Sequence, residues 1–200
     1  VTALDDTLAA NLSLITATTV TAAATIDDAE TLTFTGNLGS AAVALTGTDG
    51  TNDIFNVDSA TMGTATFTVD ANAILQGTAA KLTGVTASGL GTVAVTALEG
   101  TLAADLDAIT ATTVTAAFAS DASPTVLAAA DWGTAVVTVS GTGTVTIASG
   151  ATINTSTIAL AAASTITGAA AELTGATISG GTGTVAVTAL EGTLAADLDA

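Results

Sequence analysis

The sequence predicts an all-β chain wound as a parallel β-solenoid (β-helix), built of repeats of about 93 residues with room for one short helix in each. Three observations point there. A long segment recurs letter for letter, short runs alternate apolar and polar residues with period two, and the apolar positions are small or β-branched with few aromatics.

The repetition sets the organisation. Gly91–Ala108 (GTVAVTALEGTLAADLDA) returns unchanged at Gly183–Ala200, and Ile15–Ala23 (ITATTVTAA) is identical to Ile109–Ala117. A weaker pair, Gly77–Gly84 (GTAAKLTG) and Gly168–Gly175 (GAAAELTG), keeps the same order. Start points at Val1, Val95 and Val187 divide the chain into repeat units 1–94 and 95–186, with 187–200 beginning a third. This is how a slice of a longer array reads. Targeting and anchoring segments are therefore expected outside this window.

Strands follow from the alternation. Leu32-Thr-Phe34, Val43-Ala-Leu45, Phe55-Asn-Val57, Ala65 to Val69, Val93-Ala-Val95, Val136 to Val139, Val145-Thr-Ile147 and Ile158-Ala-Leu160 each place apolar groups on one face. Gly, Asn, Asp and Ser mark the breaks between them. One segment reads differently. Leu98, Leu102, Leu106 and Ile109 fall at helical spacing, which predicts the short helix there, with Asp105 and Asp107 facing away. The competing reading is a strand, because Leu102, Ala104, Leu106 and Ala108 also alternate.

Tandem Ig-like β-sandwiches are the alternative for repeats of this size. A sandwich core about 10 Å thick needs large side chains. This chain has 47 Ala, 44 Thr and 20 Gly among 200 residues, with four Phe, one Trp and no Tyr, so it suits the narrow core of a solenoid better. Thr stacked above Thr on successive rungs would pack methyls and satisfy hydroxyls, and Gly141–Asn154 (GTGTVTIASGATIN) reads as one rung with its turn.

Composition also excludes functions. With neither Cys nor His there is no disulfide framework, thiolate metal site, imidazole base or catalytic triad. Eighteen acidic residues against one basic residue, Lys81, give a net charge of −17, so nucleic acid is excluded as a partner. The uncharged runs are too rich in Thr, Ser and Gly for a membrane span. A 49% hydrophobic content and a mean hydropathy of +0.70 argue against disorder.

The best ligand-like stretch is Gly47–Asp58 (GTDGTNDIFNVD). Asp49, Asn52, Asp53 and Asp58 supply hard oxygen atoms around a Gly turn, the donor type that Ca²⁺ takes. Gly50-x-Asn52-Asp53-x-Phe55 is similar to half of the glycine-rich nonapeptide that binds Ca²⁺ in secreted toxins and adhesins, which makes Ca²⁺ the one cofactor the residues suggest. A polar turn between strands is the competing reading. Asp27, Asp28 and Glu30 read as a solvated turn. Asp105 and Asp107 form a carboxylate pair, but Asn11 and Ser13 replace them in the first repeat and no aromatic residue flanks them to stack a sugar, so no enzyme is expected.

VTALEGTLAADLDAITATTVTAA and GTGTVTIASGATIN resemble very large Thr/Ala/Gly-rich secreted surface proteins of bacteria, marine and cyanobacterial ones above all. They also resemble the β-helical stalks of autotransporters and filamentous haemagglutinins. The resemblance covers the whole window through composition and rhythm. It implies export to the cell surface, a fibrous or layer-forming role and frequent Ca²⁺ dependence. The expected function is a non-enzymatic structural segment of a large extracellular protein, with itself (end to end or laterally) or other cell-surface and matrix components as partners. An adhesin stalk of tandem sandwiches and a Ca²⁺-responsive binding module are the alternatives.

Overall fold

The computed structural model describes residues 7–9, 11–27, 29–48, 53–98, 102–120, 125–127, 131–153, 155–161, 163–180 and 182–190. They form a parallel β-solenoid of about seven turns, with two short helices. Within each unit the strand pairings are parallel, which excludes the antiparallel sandwich. The chain divides into two compact units, Val1–Val95 with Ala108–Val114, and Thr96–Asp107 with Thr115–Ala200.

In the first unit the strands are β1 (Thr7–Leu8), β2 (Thr21–Ile26), β3 (Thr31–Phe34), β4 (Ala42–Gly47), β5 (Asp53–Asn56), β6 (Thr66–Val69), β7 (Ala73–Gly77) and β8 (Thr86–Val95), with the helix α1 (Ala79–Leu82) between β7 and β8. The strand β9 (Ile109–Ser120) gives its first half to this unit and its second half to the other. The strands stack in two columns. In one, Val43, Phe67 and Ala87 are successive register partners on β4, β6 and β8, and all three are buried. In the other, Leu32, Phe55, Leu75 and Val93 succeed one another on β3, β5, β7 and β8, again buried. Between them Ala42, Thr66 and Thr86 face outward. Period-two alternation thus sorts each strand into an inner and an outer face. The Phe34 and Phe55 rings, on consecutive rungs, lie 6.5 Å apart.

A bend inside β8 lets one strand serve both columns. Thr86–Gly89 pair with β6 and Thr92–Val95 pair with β7. Gly89 sits at φ 120°, and a Cβ there would strike the Val69 carbonyl oxygen. Only glycine fits.

A third line of contacts closes each turn. Asn11-Leu12-Ser13, Asn37-Leu38-Gly39 and Thr61-Met62-Gly63 stack at one corner, tied by Leu12 N–H to the Asn37 carbonyl (2.7 Å) and Leu38 N–H to the Thr61 carbonyl (2.9 Å). Asn side chains shape this corner by accepting from the backbone two residues on, as Asn37 Oδ1 does from Gly39 N–H at 3.0 Å. On the next turn α1 takes the corner's place in the chain order.

The second unit holds the rest of β9, then β10 (Thr125–Leu127), β11 (Val136–Gly141), β12 (Thr144–Ile147), β13 (Thr157–Leu160), β14 (Thr165–Gly168), α2 (Ala170–Leu173), β15 (Thr177–Ser179) and β16 (Thr184–Val187). Phe118, Val139 and Leu160 stack inward along one column. Along the other, Thr144, Thr165 and Thr184 are register partners on the outer face, the Thr-on-Thr stack the sequence predicts. The corner line here is Asp105-Leu106-Asp107, Asp131-Trp132-Gly133 and Thr152-Ile153, joined by bridges Asp105 to Asp131 and Asp131 to Thr152.

The helices correct one expectation. The described residues of the segment expected to form one, Leu98 and Leu102 to Ile109, are not helical. Leu98 follows the end of β8, Leu106 fills a corner and Ile109 opens β9, so their spacing reflects three separate inward positions. The helices lie in the weaker repeat pair, at Ala79–Leu82 and Ala170–Leu173.

Candidate functional site

The acidic loop predicted to bind Ca²⁺ joins β4 to β5 and continues past β5. Asp49 and Asn52 lie outside the described residues. Asp53 opens β5 with its side chain inside the coil, fully buried and on the same inward face as Phe55 and Val57. Its N–H donates to the Asn72 carbonyl at 3.1 Å. The carboxylate crowds the Cα of Gly47, where an added Cβ would collide with Oδ2 and with the Asn72 carbonyl. The absence of a side chain at Gly47 therefore makes the space that Asp53 fills.

Asp58 lies on the outside. Its N–H donates to Asn56 Oδ1 at 2.9 Å, and Asn56 Nδ2 donates to its Oδ2 at 3.4 Å. Its Oδ1 accepts from Thr78 N–H at 2.7 Å, one turn further along, just before α1. Asp58 thus ties two rungs together at the start of the helix. Asp53 opens β5 and Asp58 lies in the turn that follows it, one inside the coil and one outside it. Among the described residues no three Asp or Glu side chains gather in a group able to hold a metal ion.

Several of the other described carboxylates shape turns or face solvent. Asp131 Oδ1 accepts from Gly133 N–H at 3.0 Å, and Asp105 Oδ1 from Asp107 N–H at 3.3 Å. Asp105 therefore spends one oxygen on its own turn, the role Asn11 plays for Ser13 (3.2 Å) in the first repeat. Asp27 and Glu30 are exposed between β2 and β3, and Asp28 lies outside the described residues.

A groove of about 470 Å³ runs between the Thr61–Gly63 corner and α1, lined by Thr61, Thr64, Ala80, Lys81, Thr83 and Thr86 among others. Its one charged group, Lys81, donates from Nζ to the Ala60 carbonyl at 2.6 Å. The groove is thus a small-residue cleft, its cation tied to backbone.

Sequence reasoning missed the corner line and expected the one short helix of each repeat on a different segment from the one that forms it. The signal for the corners was an Asn or Asp followed two residues later by Gly, Ser or Asp, around a buried Leu or Trp; for the helices it was the recurring Ala-Ala-x-Leu. The arrangement defines a solenoid-type repeat protein, in which each rung is held by its neighbours. No family model, curated protein or solved structure matches the chain.

Proposed function

We propose that this chain is a non-enzymatic structural segment of a large extracellular bacterial repeat protein, giving length and stiffness to a fibre, surface layer or matrix filament. One observation carries the reading. The same inward residue classes recur on each rung in parallel register, so a further rung of similar sequence extends the coil without redesign. The charge fits this role. With Lys81 as the one basic residue, most carboxylates cannot form ion pairs and must be solvated or screened by salt or cations, which discourages lateral clumping. A chain without Cys or Tyr is also poorly oxidisable, which suits long exposure outside the cell.

Fused arrays of two, three and four copies of unit 95–186 test the reading. At four turns per repeat and about 4.8 Å per rung, each added copy should lengthen a particle of constant width by roughly 19 Å. Small-angle scattering and electron microscopy would read this. Particles that widen instead, or that resolve into separate beads about twice as far apart, would overturn it.

A further inference from the structure

The one basic residue among 200 stands where the coil changes its plan. Three corners stack on one another in the first unit, and on the next turn the four-residue helix α1 follows instead. The groove of about 470 Å³ lies at that change, between the Thr61–Gly63 corner and α1. Its lining falls within residues 60–66 and 80–86, all of them described and all inside the first unit. A Cβ added at Gly84, in that lining, would meet nothing within 4 Å, so the space is open. The volume falls in the range of small-molecule sites, about 300–1,000 Å³.

The lining offers hydroxyls and one cation. Thr61, Thr64, Thr66 and Thr86 are exposed there, and each hydroxyl can both donate and accept. Lys81 is half-buried. Its ammonium has three donors, and the bond to the Ala60 carbonyl at 2.6 Å takes one of them. That tether fixes the charge against the groove and leaves two donors for a ligand. Among the described residues of the lining none is acidic, although the chain carries eighteen acidic residues. The matching place in the second unit has the opposite sign, since Glu172 stands there and accepts from Gly150 N–H at 3.3 Å.

We propose that this groove binds a carboxylated sugar, a uronate, with its carboxylate on Lys81 Nζ and its hydroxyls on the threonines of the lining. Each half of the ligand follows from one half of the site. A carboxylate is the acceptor that an ammonium binds most strongly, through charge-assisted hydrogen bonds. The threonine hydroxyls suit a polyol held by hydrogen bonds, because no aromatic ring is among the described residues of the lining to stack on a sugar face. A free uronate and a uronate residue within a polysaccharide share this chemistry. The site lies within one unit and needs no second copy, so it goes beyond the structural reading without resting on it.

Titration of the full chain with galacturonate, trigalacturonate, galactose and acetate, followed by NMR at the threonine methyl groups, tests this. Galacturonate should shift Thr64 and Thr86 saturably and leave Thr174, beside Glu172, unmoved. Galactose and acetate each carry half of the chemistry and should bind about tenfold more weakly. Lys81→Gln keeps a donor for the Ala60 carbonyl, and it should weaken galacturonate about tenfold with an unchanged circular-dichroism spectrum, while Lys81→Arg retains most of the affinity. Tighter binding of trigalacturonate than of galacturonate would assign the site to a polymer, and equal binding to the free sugar. Absence of any shift with galacturonate, acetate or galactose binding as well as galacturonate, or an affinity indifferent to Lys81→Gln would each overturn the proposal. The fused arrays of unit 95–186 contain no Lys81, so whether they lengthen decides the structural reading separately.

Discussion

The two helices occupy matching places in the two repeats and are tied to the preceding rung in opposite senses. On α1, Lys81 donates to the Ala60 carbonyl at 2.6 Å; on α2, Glu172, which stands where Lys81 does, accepts from Gly150 N–H at 3.3 Å. The rest is shared. Leu82 and Leu173 are buried, and Thr83 and Thr174 each return a hydroxyl to the carbonyl four residues back, at 2.8 and 2.6 Å. The position thus selects a side chain long enough to reach back one rung. Either sign of charge serves, because the backbone of that rung offers carbonyls and N–H groups alike.

The largest effect should come from what the helices share. Leu82→Ala and Leu173→Ala should each cost about 2–5 kcal/mol, as buried Leu truncations do, and urea unfolding should give similar losses for both. A loss at one site only would show that the two corners are not equivalent. The glycine two residues before each helix separates them more sharply. A Cβ added at Gly77 would lie 2.8 Å from Val57 Cγ2, whereas at Gly168 the nearest atoms, Ile147 Cβ and Leu173 Cγ, are 3.3 Å away. Gly77→Ala should therefore destabilise by about 1–3 kcal/mol through overpacking, and Gly168→Ala by clearly less in the same assay.

Swapping the tie is a smaller perturbation. Lys81→Glu sets an acceptor against the Ala60 carbonyl and should cost about 1–2 kcal/mol, while Lys81→Gln, which keeps a donor, should cost less. Equal losses would mean that the hydrogen bond is immaterial. The smallest effect should be Asp58→Ala, which removes the acceptor for Thr78 N–H at the start of α1 and should lower stability by about 1 kcal/mol. Asp58→Asn should recover most of it, since an amide oxygen can accept the same bond.

The strands and the solenoid were legible because period-two alternation and literal repetition are local signals. Leu32, Phe55, Leu75 and Val93 are recognisable as inward positions from the alternation around them alone. The position of the helix in each repeat was not legible, because four residues make little more than one turn and leave no periodicity to detect. Leu98, Leu106 and Ile109 imitated a helix because a coil that bends between its walls also returns apolar residues inward at irregular short intervals. The acidic loop showed its donor atoms but not their directions. Whether Asp53 faces inward depends on strand parity, and that parity is set by its neighbours Phe55 and Val57 rather than by the carboxylate.

Register partners across the coil stand close to a fixed distance apart in sequence. Thr66 meets Thr86, Val136 meets Thr157, and Thr165 meets Thr184. Each rung therefore closes a loop of about twenty residues onto the one before it, and the entropy of closure is nearly the same at every step. Among the described strands, register partners lie one rung apart in sequence, so their pairing does not wait for a distant part of the chain. A polypeptide of this kind can acquire structure in the order in which it emerges, from a ribosome or a pore, each finished rung serving as the template for the next.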